Sequence, residues 1–311
     1  MIREYGRQYR RRGIDMAKKQ TRQMDYAGFE QGPIRPPSEA GSLLIRVTRN
    51  CPWNHCLFCP VYKRDRFSVR PVAHVLQDID RVHGYVQALQ QAADEDGRID
   101  RPALEKISGE DGPQDLQALQ AALHWCAGGM ASIFLQDANS LIIRPGDLVT
   151  ILLHLKKRFP GARRITSYAR SHTIARIADQ DLAAIASAGL NRIHIGLESG
   201  SDAVLQLVKK GATKAVHIKA GIKVKQAGME LSEYVMPGLG GRSLSTAHAL
   251  ETADALNRIN PDFIRLRTLA IPFGVPLYRL YAEGRFEKCT DLMMAREILL
   301  FLETLEGITS R

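Results

Sequence analysis

From Leu43 onward, short apolar runs alternate with segments whose apolar residues recur at helical spacing. The strand-like runs are Leu43–Val47, Ala131–Leu135, Arg164–Ser167, Arg192–Leu197, Leu231–Met236 and Phe263–Leu269. The helical segments between them have definable ends. Asp147–Arg158 stops before Pro160-Gly161, and Gln180–Ser187 stops before Gly189. Asp202–Lys210, with Ser201 at its cap position, stops at Gly211. Thr213–Gln226 precedes Gly228, and Ser245–Arg258 precedes Pro261. The later strands recur about every 30 residues, the length of a βα unit. Six strands joined by helices predict an α/β chain with a parallel sheet and right-handed crossovers. An open sheet and a partial barrel both fit that pattern.

Two segments depart from the rhythm. About 80 residues separate the first strand from the second. Within them Gln91–Gln120 carries Asp94, Glu95, Asp96, Asp100, Glu105, Glu110, Asp111 and Asp115 against only Arg98, Arg101 and Lys106. So long a connection without structure is unusual, so a helical acidic insertion is expected at about residues 80–128. At the other end, the helix Asp291–Glu306 aligns Leu292, Ala295, Leu299 and Leu302, a face expected to pack on the body of the fold.

Composition sharpens this picture in one respect. The chain has 311 residues, 45% of them hydrophobic, and a formal charge of +10, a surplus that invites a nucleic-acid reading. The charge is uneven. Arg3, Arg7, Arg10, Arg11, Arg12, Lys18, Lys19 and Arg22 stand against Glu4 and Asp15, so a basic arm holds most of the surplus. Three domains are expected: the arm at 1–41, the α/β body at 42–277 and a helical extension at 278–311. No apolar run reaches the roughly 18 residues of a membrane span, and the arm lacks the apolar core of a secretory signal. Membrane partners are therefore not expected, and the cytoplasm is the expected compartment.

Three of five cysteines fall in nine residues, Cys51, Cys56 and Cys59, on a loop at the end of the first strand. Such clustering argues against a disulfide framework. Three thiolates on one loop can hold three irons of a cubane and leave the fourth open. A structural zinc knot with His55 as fourth ligand also fits, although no second ligand pair follows at finger spacing. Cys126 and Cys289 read as buried structural thiols. Arg265 and Arg267 alternate on the sixth strand and so share a face. If that face is the barrel interior, both are site candidates.

Cys51-x4-Cys56-x2-Cys59, with Phe58 before the last cysteine, resembles the radical S-adenosylmethionine (SAM) superfamily, whose commoner spacing is one residue shorter in the first gap. Ile193-His-Ile-Gly-Leu-Glu198-Ser-Gly-Ser-Asp202 with Val208-Lys-Lys210-Gly211, and Leu231 through Gly241, resemble the fourth and fifth strands of one branch. That branch holds elongator-type, methylthiotransferase-type and anaerobic coproporphyrinogen-oxidase-type enzymes. The resemblance covers about Leu43 to Leu277.

It implies a partial (β/α)6 TIM-like barrel with the helical insertion after its first strand and a short C-terminal helical extension. It also implies a [4Fe–4S] cluster on Cys51, Cys56 and Cys59, and SAM bound at the strand C-termini. The reduced cluster would cleave SAM to a 5′-deoxyadenosyl radical that takes hydrogen from a substrate. By the same resemblance, Gln136 and Asp137 stand where the SAM amine is held, although the usual Gly-Gly-Glu-like turn is absent. Glu198, with Ser199 beside it, stands at the ribose, Lys210 at the SAM carboxylate, and the Phe58 backbone at adenine. Gly238 would let main chain approach the adenosine, and Arg170 would hold a cofactor or substrate anion. The implied partners are SAM, a one-electron reductant such as flavodoxin or ferredoxin, and a substrate. Only about 40 residues precede the barrel and about 35 follow it, so a small molecule is favoured as substrate. The basic arm keeps nucleic acid open. The alternative of another class is a non-catalytic iron–sulfur or zinc protein.

Overall fold

The computed structural model describes residues 25–109 and 113–311. The basic residues of the arm, and Glu110 and Asp111 of the insertion, lie outside the described residues. Six parallel strands form one sheet in the order β1 (Leu43–Arg46), β4 (Ser132–Gln136), β5 (Arg164–Ala169), β6 (Leu190–Glu198), β7 (Glu230–Val235) and β8 (Phe263–Leu266). Each predicted strand is present to within a few residues. A two-stranded antiparallel ribbon, β2 (Thr48–Arg49) with β3 (Ser68–Val69), brackets the cysteine loop and was not expected from the sequence.

Alternation along the strands sorts side chains onto two faces. Ile45, Ile133, Leu135, Ile165, Ile193, Ile195 and Leu231 form the core beneath the helices. The opposite face carries rings that meet one another. Phe134 of β4 lies 5.1 Å from Tyr168 of β5 and 6.3 Å from His194 of β6, and His194 lies 6.4 Å from Tyr234 of β7. Glu39, in the turn before β1, reaches His194 Nε2 at 3.4 Å and Arg164 Nη2 at 3.5 Å on that same face. The sheet is thus curled around a polar and aromatic interior, with β1 and β8 as unjoined edges. This is the expected partial (β/α)6 barrel.

The helices start and stop where local chemistry dictates. Thr213 accepts from Val216 N–H at 3.3 Å and caps Lys214–Gln226, while Gly189 ends Asp179–Ala188 in the left-handed conformation. Ser201 occupies the cap position of Asp202–Leu207, but its side chain makes no capping bond. The insertion is helical as expected, although it begins earlier, with a helix at Val72–Ala92. Helices at Arg101–Ser108 and Pro113–Ala127 follow, and an Arg81–Asp115 ion pair ties the last to the first.

Three expectations need correction. The final helix, α1 (Asp291–Glu303), buries Met294, Glu297 and Phe301, whereas Leu292, Leu299 and Leu302 are 61%, 55% and 52% exposed. A polar residue sits in the buried face because Glu297 accepts from Gly238 N–H at 2.6 Å and from the Ser245 hydroxyl. Periodicity of leucine alone therefore pointed to the wrong side. Residues 25–41 are not a free arm: Phe29 is in the main core and Glu39 is fully buried. Cys289 is buried as expected, but it precedes α1 rather than lying on a helix.

Candidate active site

The cysteine loop leaves β1 and is fixed from below by one carboxylate. Asp137, wholly buried at the exit of β4, accepts from Arg46 Nε at 3.0 Å and Nη2 at 2.7 Å, and from Asn50 N–H at 3.2 Å. Its other oxygen accepts from the Tyr62 hydroxyl at 2.6 Å. The start and the return of the loop thus share one anchor. Gln136, beside it, accepts from Gly32 N–H at 2.8 Å and donates to Gly32 O and Ile34 O at 3.1 and 2.7 Å. Gly32 has no room for a Cβ because it lies against the Asp137 carboxylate. Asp137 and Gln136 therefore spend their polar atoms on the chain itself and present none to the mouth.

Main-chain bonds then clamp the loop across the mouth. Leu57 N–H donates to Val208 O, and Leu277 N–H donates to Leu57 O, each at 2.9 Å. Trp53 Nε1 donates to Lys209 O at 2.7 Å, and the Arg170 guanidinium stacks 5.1 Å from the Trp53 ring. Arg170 Nη2 also donates to Lys210 O and Gly211 O at 3.1 and 3.3 Å. Gly211, at φ +69°, is where a side chain would collide with Trp53. Left-handed backbone collects here: Asn50, Asn54, Glu198 and Lys209 all have positive φ. Such conformations cost about 1–3 kcal/mol each for non-glycine residues, so four around one opening mark a functional region.

The three thiols are free and half-buried. Asn54 N–H points at Cys51 Sγ at 3.5 Å, and Lys63 Nζ donates to Asn54 O and Cys56 O at 3.1 and 2.6 Å. Burial pushes the Cys56 thiol up, the Lys210 charge pulls it down, and Glu198, Cys51 and Cys59 push it further up. Burial likewise lowers Arg170, against the pull of Cys51 and Cys56. Three sulfurs and two cations therefore share one neighbourhood.

Opposite the loop, Glu198 and Lys210 form an ion pair at 3.0 Å. A bulge between Gly196 and Glu198 breaks the β6–β7 register and sets the Glu198 carboxylate over Gly196, where a Cβ would strike both members of the pair. Burial disfavours the Lys210 ammonium, but Glu198 and the Cys56 thiol more than compensate and hold its pKa above the usual lysine value. Lys210 Nζ also lies 5.9 Å from the Phe58 ring. That ring packs with Val204, Val208, Leu239 and Leu277.

The structure thus brings Cys51, Cys56, Cys59, Phe58, Arg170, Glu198 and Lys210 together. It does not bring Ser199 or Gly238 to them. Ser199 is buried against His248 Nδ1 at 2.8 Å, and Gly238, at φ +83°, faces Met294 and Glu297 of α1. The sequence reading missed Arg46, Tyr62, Trp53, Lys63 and Gly196. Trp53, inside the cysteine motif, was the one with a visible signal.

Among the described residues, no three His, Cys, Asp or Glu side chains converge as a cage for one metal ion. The fit to an iron–sulfur cubane rests instead on the donor set. Three thiols on one loop beside two cations match thiolate ligands of a cluster carrying negative charge.

Residues 45–253 match the family described as the Radical SAM superfamily. Among curated proteins the chain is similar to the tRNA uridine(34) acetyltransferases of Methanocaldococcus infernus (21% identical over 265 residues) and Methanocaldococcus jannaschii (19% over 281). Each match covers 82% of this chain, and 48% and 47% of those proteins respectively. The chain spans about half the length of the curated relatives it matches. Among solved structures, coproporphyrinogen III oxidase (HemN) from Escherichia coli aligns over 89% of this chain and 54% of its own, at TM-score 0.52 and 14% identity. Archaeal Methanocaldococcus infernus Elp3 with an N-terminal deletion aligns over 63% of this chain and 51% of its own, at TM-score 0.50 and 14% identity. At those identities the likeness is one of fold. Among the described residues, no helix is long and apolar enough to cross a membrane.

Proposed function

Because the chain belongs to the radical SAM superfamily, and so is an enzyme, we propose that Cys51, Cys56 and Cys59 hold a [4Fe–4S] cluster and that the adjoining mouth binds SAM. The carrying observation is the grouping of three free thiols with Lys210 and Arg170, beneath which the Glu198–Lys210 pair is mounted on Gly196. Cys51, Cys56 and Cys59 would hold this cluster, which when reduced would supply the one electron for cleavage of SAM to methionine and a hydrogen-abstracting 5′-deoxyadenosyl radical.

The chain's own residues bind and orient. Lys210 is suited to a carboxylate and exchanges its bond to Glu198 for one to the SAM methionine moiety. Glu198, so released, accepts from the two ribose hydroxyls. Arg170 holds the 208–211 segment to the loop and adds positive charge beside the thiols. The Phe58 main chain lies along adenine, while its ring closes the apolar wall. Asp137, Gln136, Ser199 and Gly238 act as positioning residues behind that layer. A flavodoxin or ferredoxin supplies the electron.

The relatives named for tRNA uridine(34) acetyl transfer support an RNA substrate over the small molecule favoured from the sequence. The acetyl-transfer step is not part of this proposal. Anaerobic reconstitution with iron and sulfide, then SAM and dithionite, tests the reading. Four irons per chain and formation of 5′-deoxyadenosine are expected, both lost in C56A. One tightly held zinc and intact SAM would overturn it.

A further inference from the structure

The barrel interior carries a second set of groups that the cluster and SAM leave unused. Arg265 of β8 is in register with Tyr234 of β7, which is in register with Gly196 of β6, the floor of the Glu198–Lys210 pair. Arg267 continues the same face, its N–H bonded to Val235 O at 2.9 Å. The sequence left open which way these arginines point; the register places Arg265 on the interior face, and alternation carries Arg267, just past the end of β8, to the same side.

Their partners set them apart. Elsewhere on the sheet, Arg46 pairs with Asp137, Arg164 with Glu39 and Arg192 with Glu230. Arg265 donates only through Nε, to Ser232 Oγ at 3.0 Å, and its two terminal nitrogens have no carboxylate within 4.0 Å among the described residues. Arg267 has no side-chain acceptor among those residues. The Tyr234 hydroxyl is buried and makes no hydrogen bond. The Arg265 and Arg267 charges both act on that hydroxyl, and Arg267 acts on Tyr168 as well. Glu39 and Glu198 also act on the phenol, but they are paired with His194, Arg164 and Lys210, so two guanidinium groups and a phenol donor remain available to an oxyanion. A buried donor left without an acceptor is destabilising, so an acceptor from outside is favoured there.

We infer that Arg265, Arg267 and the Tyr234 hydroxyl bind an oxyanion of the substrate, a phosphate or a carboxylate, on the two strands that follow the one carrying Glu198. The inference rests on the reading of the mouth as a radical SAM site. It adds that the substrate is anionic and enters from the β8 side. Holding that group on β8 orients the rest of the substrate toward Glu198 and the cysteine loop.

The test uses the reconstituted full chain at constant ionic strength, with inorganic phosphate and acetate as separate probes and the unfolding midpoint as readout. Either probe is expected to raise the wild-type midpoint with a saturable response. In R265Q, and independently in R267Q, the apparent affinity should fall at least tenfold, and Y234F should weaken it less. The larger response, phosphate or acetate, identifies the substrate group. Equal responses in wild type and both arginine variants, or none in wild type, overturn the inference. Because Arg267 is exposed, R267Q reports even if R265Q fails to fold. Iron content and SAM binding are measured on the same samples, so failure of the cluster reading is separately visible.

Discussion

Arg46, Arg49 and Arg70, on the β1 side of the mouth, share Glu30, Asp78 and Asp137 between them, whereas Arg265 and Arg267 on the β8 side pair with no carboxylate among the described residues. The same residue type does two different jobs. On the β1 side, charge is neutralised inside the chain and fixes the loop that carries the cysteines. On the β8 side it is left to meet something from outside. The first side is sealed by residues 25–41, which Gln136 stitches to the sheet. The last strand is short and half-exposed along its length. A radical enzyme needs both: a rigid, closed mount for its cofactor and an entry for its substrate.

Breaking the built side should cost most. D137A removes the acceptor of the Tyr62 hydroxyl and the closest acid to Arg46, which is left with Glu30 at 3.5 Å, so about 3 kcal/mol of stability should be lost in urea unfolding. A loss under about 1 kcal/mol would mean that the loop is held mainly by its main-chain clamps.

The wall between the two sides should be acid-sensitive. Burial keeps His194, His217 and His248 neutral, with His217 pushed down to about 3 by burial and by the Lys210 and Arg170 charges. Their folded pKa values lie below the unfolded value, so the unfolded chain binds more protons as pH falls through about 6.5. Stability is full above that pH and declines below it, by up to about 1.4 kcal/mol per pH unit for each histidine. Urea midpoints at pH 7 and pH 5 check this, and H217Q should flatten the decline. Equal midpoints at the two pH values would refute the assignment.

G196A sharpens the comparison by touching the site and sparing the frame. The added methyl displaces the end of the flexible Glu198 side chain, so stability should hold while SAM affinity falls about tenfold, or 1.4 kcal/mol. Unchanged affinity in calorimetric titration would remove Glu198 from the cofactor's contacts. The smallest effect belongs to the exposed stripe of α1. Replacing Leu292, Leu299 and Leu302 by glutamine should move stability by no more than about 0.5 kcal/mol per site. A larger loss would mean that this face is covered in solution.

Much of this was legible in the residues. The six strands announced themselves because each is a short apolar run between turn formers, and their outer faces needed no knowledge of the partner helices. The cysteine triplet was legible because its three members stand within nine residues on a single loop. The Glu198–Lys210 pair was legible only as two separate candidates. The helix Asp291–Glu303 misled because leucine spacing records amphipathicity without saying which face is covered, and its buried face is organised around Glu297.

The sequence by itself determined the order of elements, the parallel sheet and the family that the cysteine spacing resembles, since all of these depend on neighbours close along the chain. Only the tertiary structure decided which polar residues are available. Asp137 and Gln136 are consumed by partners from 75 to 104 residues away, and Ser199 by a buried histidine 49 residues away, while Arg265 and Arg267 are not so consumed among the described residues. A side chain's free valence is a property of what folds against it, and long-range contacts of that kind leave no periodic trace in the sequence.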